Sequence, residues 1–199
     1  MTLADARVTT ATRWRVWGPT GALPLAAWSF AYAGYRAYYA LGGDVGMIGR
    51  PVSDSQLRTV NALGAAIIVL AGVLPLVAIR LAPLRRALPA IGWIGAVGCC
   101  THALTDITLR LLSVTGVRPT QLPASVWRSF DRHAADLQDL LLNEPWFLVE
   151  SLLWAALGLG FVRASRRRTW VLSALGACAS LTALGVLTGL GAVGSFHLG

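Results

Sequence analysis

Five apolar stretches, separated by short connections rich in arginine, constrain this chain more than any other feature of its sequence. They run from about 21 to 42, 59 to 81, 87 to 115, 144 to 162 and 169 to 196. A helix of roughly 20 residues crosses a hydrocarbon core about 30 Å thick, so each stretch is long enough to span a bilayer. Mean hydropathy is +0.61 and only 13% of residues are charged. That combination excludes an ordinary soluble domain. The expected fold is all-α: one polytopic bundle of five spans over residues 1–199, with an amphipathic surface helix between spans three and four.

Charge suggests the orientation. All 17 basic residues are arginine and the net charge is +8. Arg7, Arg13 and Arg15 precede span one; Arg80, Arg85 and Arg86 follow span two; Arg163, Arg166, Arg167 and Arg168 follow span four. The positive-inside rule then puts the N-terminus in the cytoplasm and the C-terminus outside a bacterial plasma membrane. Trp14 and Trp17 read as interfacial anchors. Basic residues spread between apolar segments do not make a nucleic-acid face, so no nucleic-acid partner is expected. Cys99, Cys100 and Cys178 form no C-x-x-C and read as small core residues.

The longest connection runs from Gly116 to Asn143. Trp127, Phe130, Ala134, Leu137 and Leu141 recur there every three or four residues, which predicts the amphipathic helix. Asn143 is the expected N-cap of span four, with Pro145 in its first turn. Pro75 is the expected kink of span two. Span five is rich in Gly, Ala and Leu, which suits close helix packing and is compatible with a homo-oligomer.

Polar residues within the spans carry the functional signal, because an intramembrane ionisable side chain is costly unless it faces protein or water. In span three, His102, Thr105 and Asp106 share a helix face. Counted from the inner end at 1.5 Å per residue, His102 lies about 21 Å and Asp106 about 27 Å up. Glu150, descending in span four, lies about 8 Å below the outer face, at about the level of Arg36 in span one. Asn61 enters just inside that face in span two. Tyr32, Tyr35, Arg36 and Tyr39 have i, i+3, i+4, i+7 spacing and line one face. Trp146 and Trp154 flank Glu150, and Glu144 opens span four. The expectation is an outer-half pocket with Asp106, Glu150 and His102 as catalytic groups, and with Asp106 facing Glu150. Tyr32, Tyr35, Arg36, Tyr39, Asn61, Glu144, Trp146 and Trp154 are its expected substrate-binding wall.

Each signal has a plainer structural counterpart. Asp106 or Glu150 could pair with Arg36 and hold the bundle together; two acids and one arginine suggest that one acid is paired and the other is left to carry a proton. His102 alone reads as a core residue, but four residues from Asp106 it forms a carboxylate–imidazole pair suited to proton transfer. His102 and Asp106 supply two metal ligands, and a third would have to be Glu150 with no recognised spacing. No metal and no cofactor are therefore expected. Asp136 and Asp139 form a D-x-x-D that reads as a solvated polar face, and His133 and His197 read as surface residues. No D-D-x-x-D, Walker A, G-x-S-x-G or H-E-x-x-H occurs.

The stretches AWSFAYAGYRAYYALGG and LLLNEPWFLVESLLW resemble those of a class of small, uncharacterised actinobacterial polytopic membrane proteins. Five spans, a His and an acid four apart, and a Glu and Trp on another span also look like emopamil-binding-type sterol isomerases. Integral-membrane terpene cyclases acting on prenylated indoles and meroterpenoids are similar in being small, polytopic and dependent on intramembrane acids. What this resemblance implies is proton-initiated carbocation chemistry on a lipophilic, prenylated or isoprenoid molecule. Asp106 or Glu150 would then be the acid, His102 or the other carboxylate its partner, and Arg36, Tyr35 and Tyr39 would orient the substrate. A small-molecule binding, immunity or transport protein is the alternative, as is a non-catalytic assembly subunit. Transport would need a polar path through the inner half, where the sequence places almost no polar residue.

Overall fold

A computed structural model describes residues 21–122 and 124–193. Arg7, Arg13, Arg15, Trp14, Trp17, His197 and the expected end of span five at 196 lie outside the described residues. The described chain is mostly helix. Helix α1 covers Ala22–Ala40, α2 Asp54–Ala78, α3 Ala82–Val114, α4 Arg132–Gln138, α5 Glu144–Phe161 and α6 Arg167–Gly189. A π-helical turn, Asp139–Asn143, joins α4 to α5, and a short 3-10 turn, Ala164–Arg166, precedes α6.

Four helical runs are long and apolar enough to cross a membrane: Asp54–Ala78, Ala82–Val114, Arg132–Phe161 and Ala164–Gly189. Helix α1 does not reach that apolarity, because Tyr32, Tyr35, Arg36, Tyr38 and Tyr39 fill its second half. Local chemistry fixes the ends. Ser53 caps α2 by accepting a hydrogen bond from the Gln56 N–H at 3.3 Å. Gly42, at φ 94°, ends α1, and Gly191, at φ 73°, follows the end of α6.

The connection between spans three and four departs most from the periodicity. Trp127 and Phe130 lie on a strand, β2 (Trp127–Phe130), which pairs antiparallel with β1 (Gly49–Pro51). This ribbon links the α1–α2 loop to the α3–α4 loop across one end of the bundle. A side chain at Gly49 would collide with the Ser129 carbonyl and Phe130, so this close approach needs glycine. Only Arg132–Gln138 is α-helical, and it runs on into α5 instead of standing apart as a surface helix. Its cap is Asp131, which accepts from the Ala134 N–H at 3.0 Å. Asn143 stands at the N-cap position of α5 but makes no capping bond: it has helical dihedrals, and its amide donates to Asp139 Oδ1 at 2.7 Å. The physical reason is Pro145. Its missing N–H is accommodated within a continuous helix by the π turn, in which the Glu144 N–H bonds to the Asp139 carbonyl.

Packing divides the bundle lengthwise. Ala22, Leu25, Ala78, Leu88, Ala96, Trp154 and Leu157 form an apolar core that reaches the end opposite the ribbon. Helices α3 and α5 touch through backbone: a Cβ at Gly92 would lie 2.6 Å from Gly158 Cα. Gly185 and Gly189 of α6 likewise seat Thr105 and Leu109 of α3. Cys178 is buried and contacts the Val97 carbonyl, and all three cysteines are free. At the ribbon end the contacts become polar, and the candidate site lies there.

Candidate functional site

Helix α3 carries His102, Asp106, Arg110 and Ser113 at spacings of four, four and three, so they form one stripe. Opposite them, the continuous run from α4 into α5 presents Asp136, Asp139 and Glu144. Together they make a polar seam between two apolar helices. At its ribbon end Arg110 donates to Asp139 Oδ2 at 2.7 Å and to Thr120 Oγ1 at 2.9 Å. Asp136 is 2% exposed and accepts hydrogen bonds from Ser113 and Thr120. The D-x-x-D is thus not a solvated face: Asp136 is buried because hydroxyls and Arg110 compensate its charge.

Deeper in the seam, His102 Nε2 lies 3.9 Å from Asp106 Oδ2 and 3.9 Å from Glu144 Oε2. One ligand atom from each of the three side chains lies within 4.8 Å of the others. The Glu144 side chain is 3% exposed and that of His102 is 49% exposed. Glu144 Oε2 is buried without a hydrogen-bond partner among the described residues. The cluster therefore combines an accessible imidazole, a half-exposed carboxylate and a sequestered one. An imidazole nitrogen and two carboxylates are also a donor set able to hold a divalent cation. The third member of this cluster is Glu144 and not Glu150.

Glu150 lies elsewhere. It is 4% exposed, and its Oε1 accepts from Ser29 Oγ at 3.3 Å, joining α5 to α1. Asp106 thus faces Glu144 instead of Glu150. The register explains this: Asp106 and Glu144 both sit near the ribbon end, whereas Glu150 lies almost two turns further along α5 on the face toward α1. Trp154 is buried against Gly95 of α3 and hydrogen-bonds Glu150. Thr105, expected beside His102, is turned toward Gly185 of α6.

The aromatic wall continues from the imidazole. His102 meets the Phe147 ring edge-on at 4.5 Å, and Phe147 meets Tyr32 at 5.5 Å. Tyr32 stacks on Tyr35 at 5.7 Å, and Tyr35 meets Tyr39 at 5.2 Å. Trp146 stacks on Trp28 at 4.1 Å and on Tyr32 at 5.4 Å. This row ends at a cavity of about 250 Å³ under the ribbon, bordered by Tyr35, Arg36, Tyr39, Asn61, Trp127 and Asn143 among others. Arg36 forms no ion pair with any described residue, so neither Asp106 nor Glu150 is its partner. Asn61 is 5% exposed and donates to the Leu57 carbonyl at 2.9 Å. Two wider grooves, about 570 and 1110 Å³, open at the opposite end of the bundle, where no carboxylate lines them.

The structure thus brings His102, Asp106 and Glu144 together and gathers Tyr35, Arg36, Tyr39 and Asn61 around one cavity. Arg110, Ser113, Thr120 and the buried role of Asp136 escape the sequence reading. The stripe was legible in principle, since Arg110 continues the four-residue step from His102 through Asp106. No family model, curated protein or solved structure matches this chain.

Proposed function

We propose that this chain is a membrane-embedded acid–base enzyme acting on a lipophilic substrate, as a proton-initiated terpene or meroterpenoid cyclase or an isomerase. The observation that supports the reading best is the convergence of His102, Asp106 and Glu144 at the end of a continuous aromatic row. In the proposed reaction the protonated member of the cluster delivers a proton to a substrate alkene. The π electrons form the new C–H bond and leave a carbocation on the adjacent carbon. The ring of Phe147, beside His102, stabilises that cation. A neighbouring carboxylate or the imidazole then removes a proton from a flanking carbon, giving an isomeric alkene; attack by a second alkene before that step gives a ring. Proton gain and loss balance, so neither redox partner nor cofactor is consumed. Glu150, hydrogen-bonded to Ser29, is assigned to bridging α5 and α1.

In the same reading α1 is a fifth span. Arg80, Arg85, Arg86, Arg163, Arg166 and Arg168 face the cytoplasm of a bacterial cell, and the ribbon end faces outward. Product analysis tests the function. Membranes carrying wild type, His102→Gln, Asp106→Asn or Glu144→Gln are fed prenylated aromatic and sterol-like substrates. An isomeric product from wild type, lost in well-expressed cluster variants and retained in EDTA, is the expected result. Loss in EDTA would move the chemistry to a cation held by the cluster. Conversion untouched by all three substitutions would overturn the assignment.

A further inference from the structure

The cavity under the ribbon is bordered by a cation, Arg36, that has no ion-pair partner among the described residues. Arg36 projects from α1 and lies against α2, where a Cβ at Gly64 would come within 3.3 Å of its guanidinium. None of its nitrogens has an ion-pair or hydrogen-bond partner among the described residues, although it borders a space of about 250 Å³. The one acid on the same wall, Asp139, is engaged: it accepts from Arg110 at 2.7 Å and from Asn143 at 2.7 Å. Beside Arg36, the Tyr35 hydroxyl accepts from Gln138 at 3.1 Å and hydrogen-bonds Tyr39. The planar fork of N–H donors on Arg36 matches the oxygens of a carboxylate or phosphate. The rest of the wall includes Tyr39 and Trp127, and the aromatic row leads from here to His102.

We propose that Arg36 binds the anionic head, carboxylate or phosphate, of an amphipathic substrate whose apolar chain lies along the aromatic row toward His102. This rests on the acid–base reading above and names its substrate class. Anchoring the head would hold a reacting double bond in place against a fixed acid, which is where positioning contributes to rate.

Binding is measured calorimetrically on the full chain in dodecyl maltoside, with dodecyl phosphate, dodecanol and inorganic phosphate as probes. The expected result is that dodecyl phosphate binds at least about tenfold tighter than either other probe, about 1.4 kcal/mol. Arg36→Gln abolishes that preference and Arg36→Lys restores part of it. Gly64→Leu, which keeps the charge but crowds the guanidinium, weakens it. His102→Gln leaves the preference intact, so binding can succeed even where no product forms. Equal binding of dodecanol and dodecyl phosphate in wild type overturns the proposal without reference to any variant. Inorganic phosphate binding as tightly as dodecyl phosphate overturns the amphiphile in favour of a free anion. A preference that survives in folded Arg36→Gln overturns the role of Arg36.

Discussion

Glu144 reads, from the chain alone, as the first residue of a span beside a proline. In the fold it is a sequestered carboxylate 3.9 Å from an imidazole. Its neighbour in sequence role, Glu150, is equally buried but already bonded to Ser29. The two glutamates should therefore separate cleanly. Glu144→Gln is expected to lower conversion by 10²–10⁴-fold, the usual contribution of a positioned acid or base. Glu150→Gln keeps an oxygen for Ser29 and should lower it less than about tenfold, within the small net worth of one neutral hydrogen bond. Rates on membranes matched for protein amount distinguish them. Asp136 makes a purely structural prediction. Asp136→Ala leaves Ser113 and Thr120 without their acceptor and Arg110 with one carboxylate fewer, and should cost about 3 kcal/mol. Thermal unfolding in micelles would register it as a lowered midpoint.

The helices show where sequence reasoning holds and where it stops. The apolar stretches map onto long helices because hydropathy over twenty residues leaves little other choice. The i, i+4 stripe of α3 was visible for the same reason: helical spacing fixes a face. The partner of that stripe was not visible. It depends on the π turn at Asp139–Asn143, which shifts the register of α5 by one residue, and no spacing rule anticipates such a shift. The Trp127–Phe130 strand was also hidden, since so short a run with a large residue at each end fits a helix as readily as a ribbon. Two substitutions probe these elements. Pro145→Ala restores a backbone donor, favours an ordinary α-helix and should rotate Glu144 away from His102. Conversion should fall while the unfolding midpoint stays level or rises. Gly92→Ala should cost 1–3 kcal/mol by forcing α3 and α5 apart; the midpoint should drop, and a small further loss of activity should follow.

Across the whole molecule, polarity is segregated along the bundle axis. Among the described residues, the apolar core reaches one end, whose arginines, such as Arg80, Arg85, Arg86 and Arg163, have no acid among them, and the polar seam, the cavity and the ribbon occupy the other, where arginines and acids mix. Such segregation suits a protein that takes its substrate from one leaflet and reacts it away from bulk water. If the arginine end faces the cytoplasm, Ser55→Cys should react with a membrane-impermeant maleimide in intact cells. Ser165→Cys should react only after lysis. The reverse pattern would invert the topology. The central claim, that a proton from the cluster starts the reaction, is tested most directly by running the conversion in deuterium oxide and reading the product by mass spectrometry. The account predicts one non-exchangeable deuterium on the carbon that was an alkene in the substrate, absent with Glu144→Gln. A product formed by wild type without deuterium would contradict it.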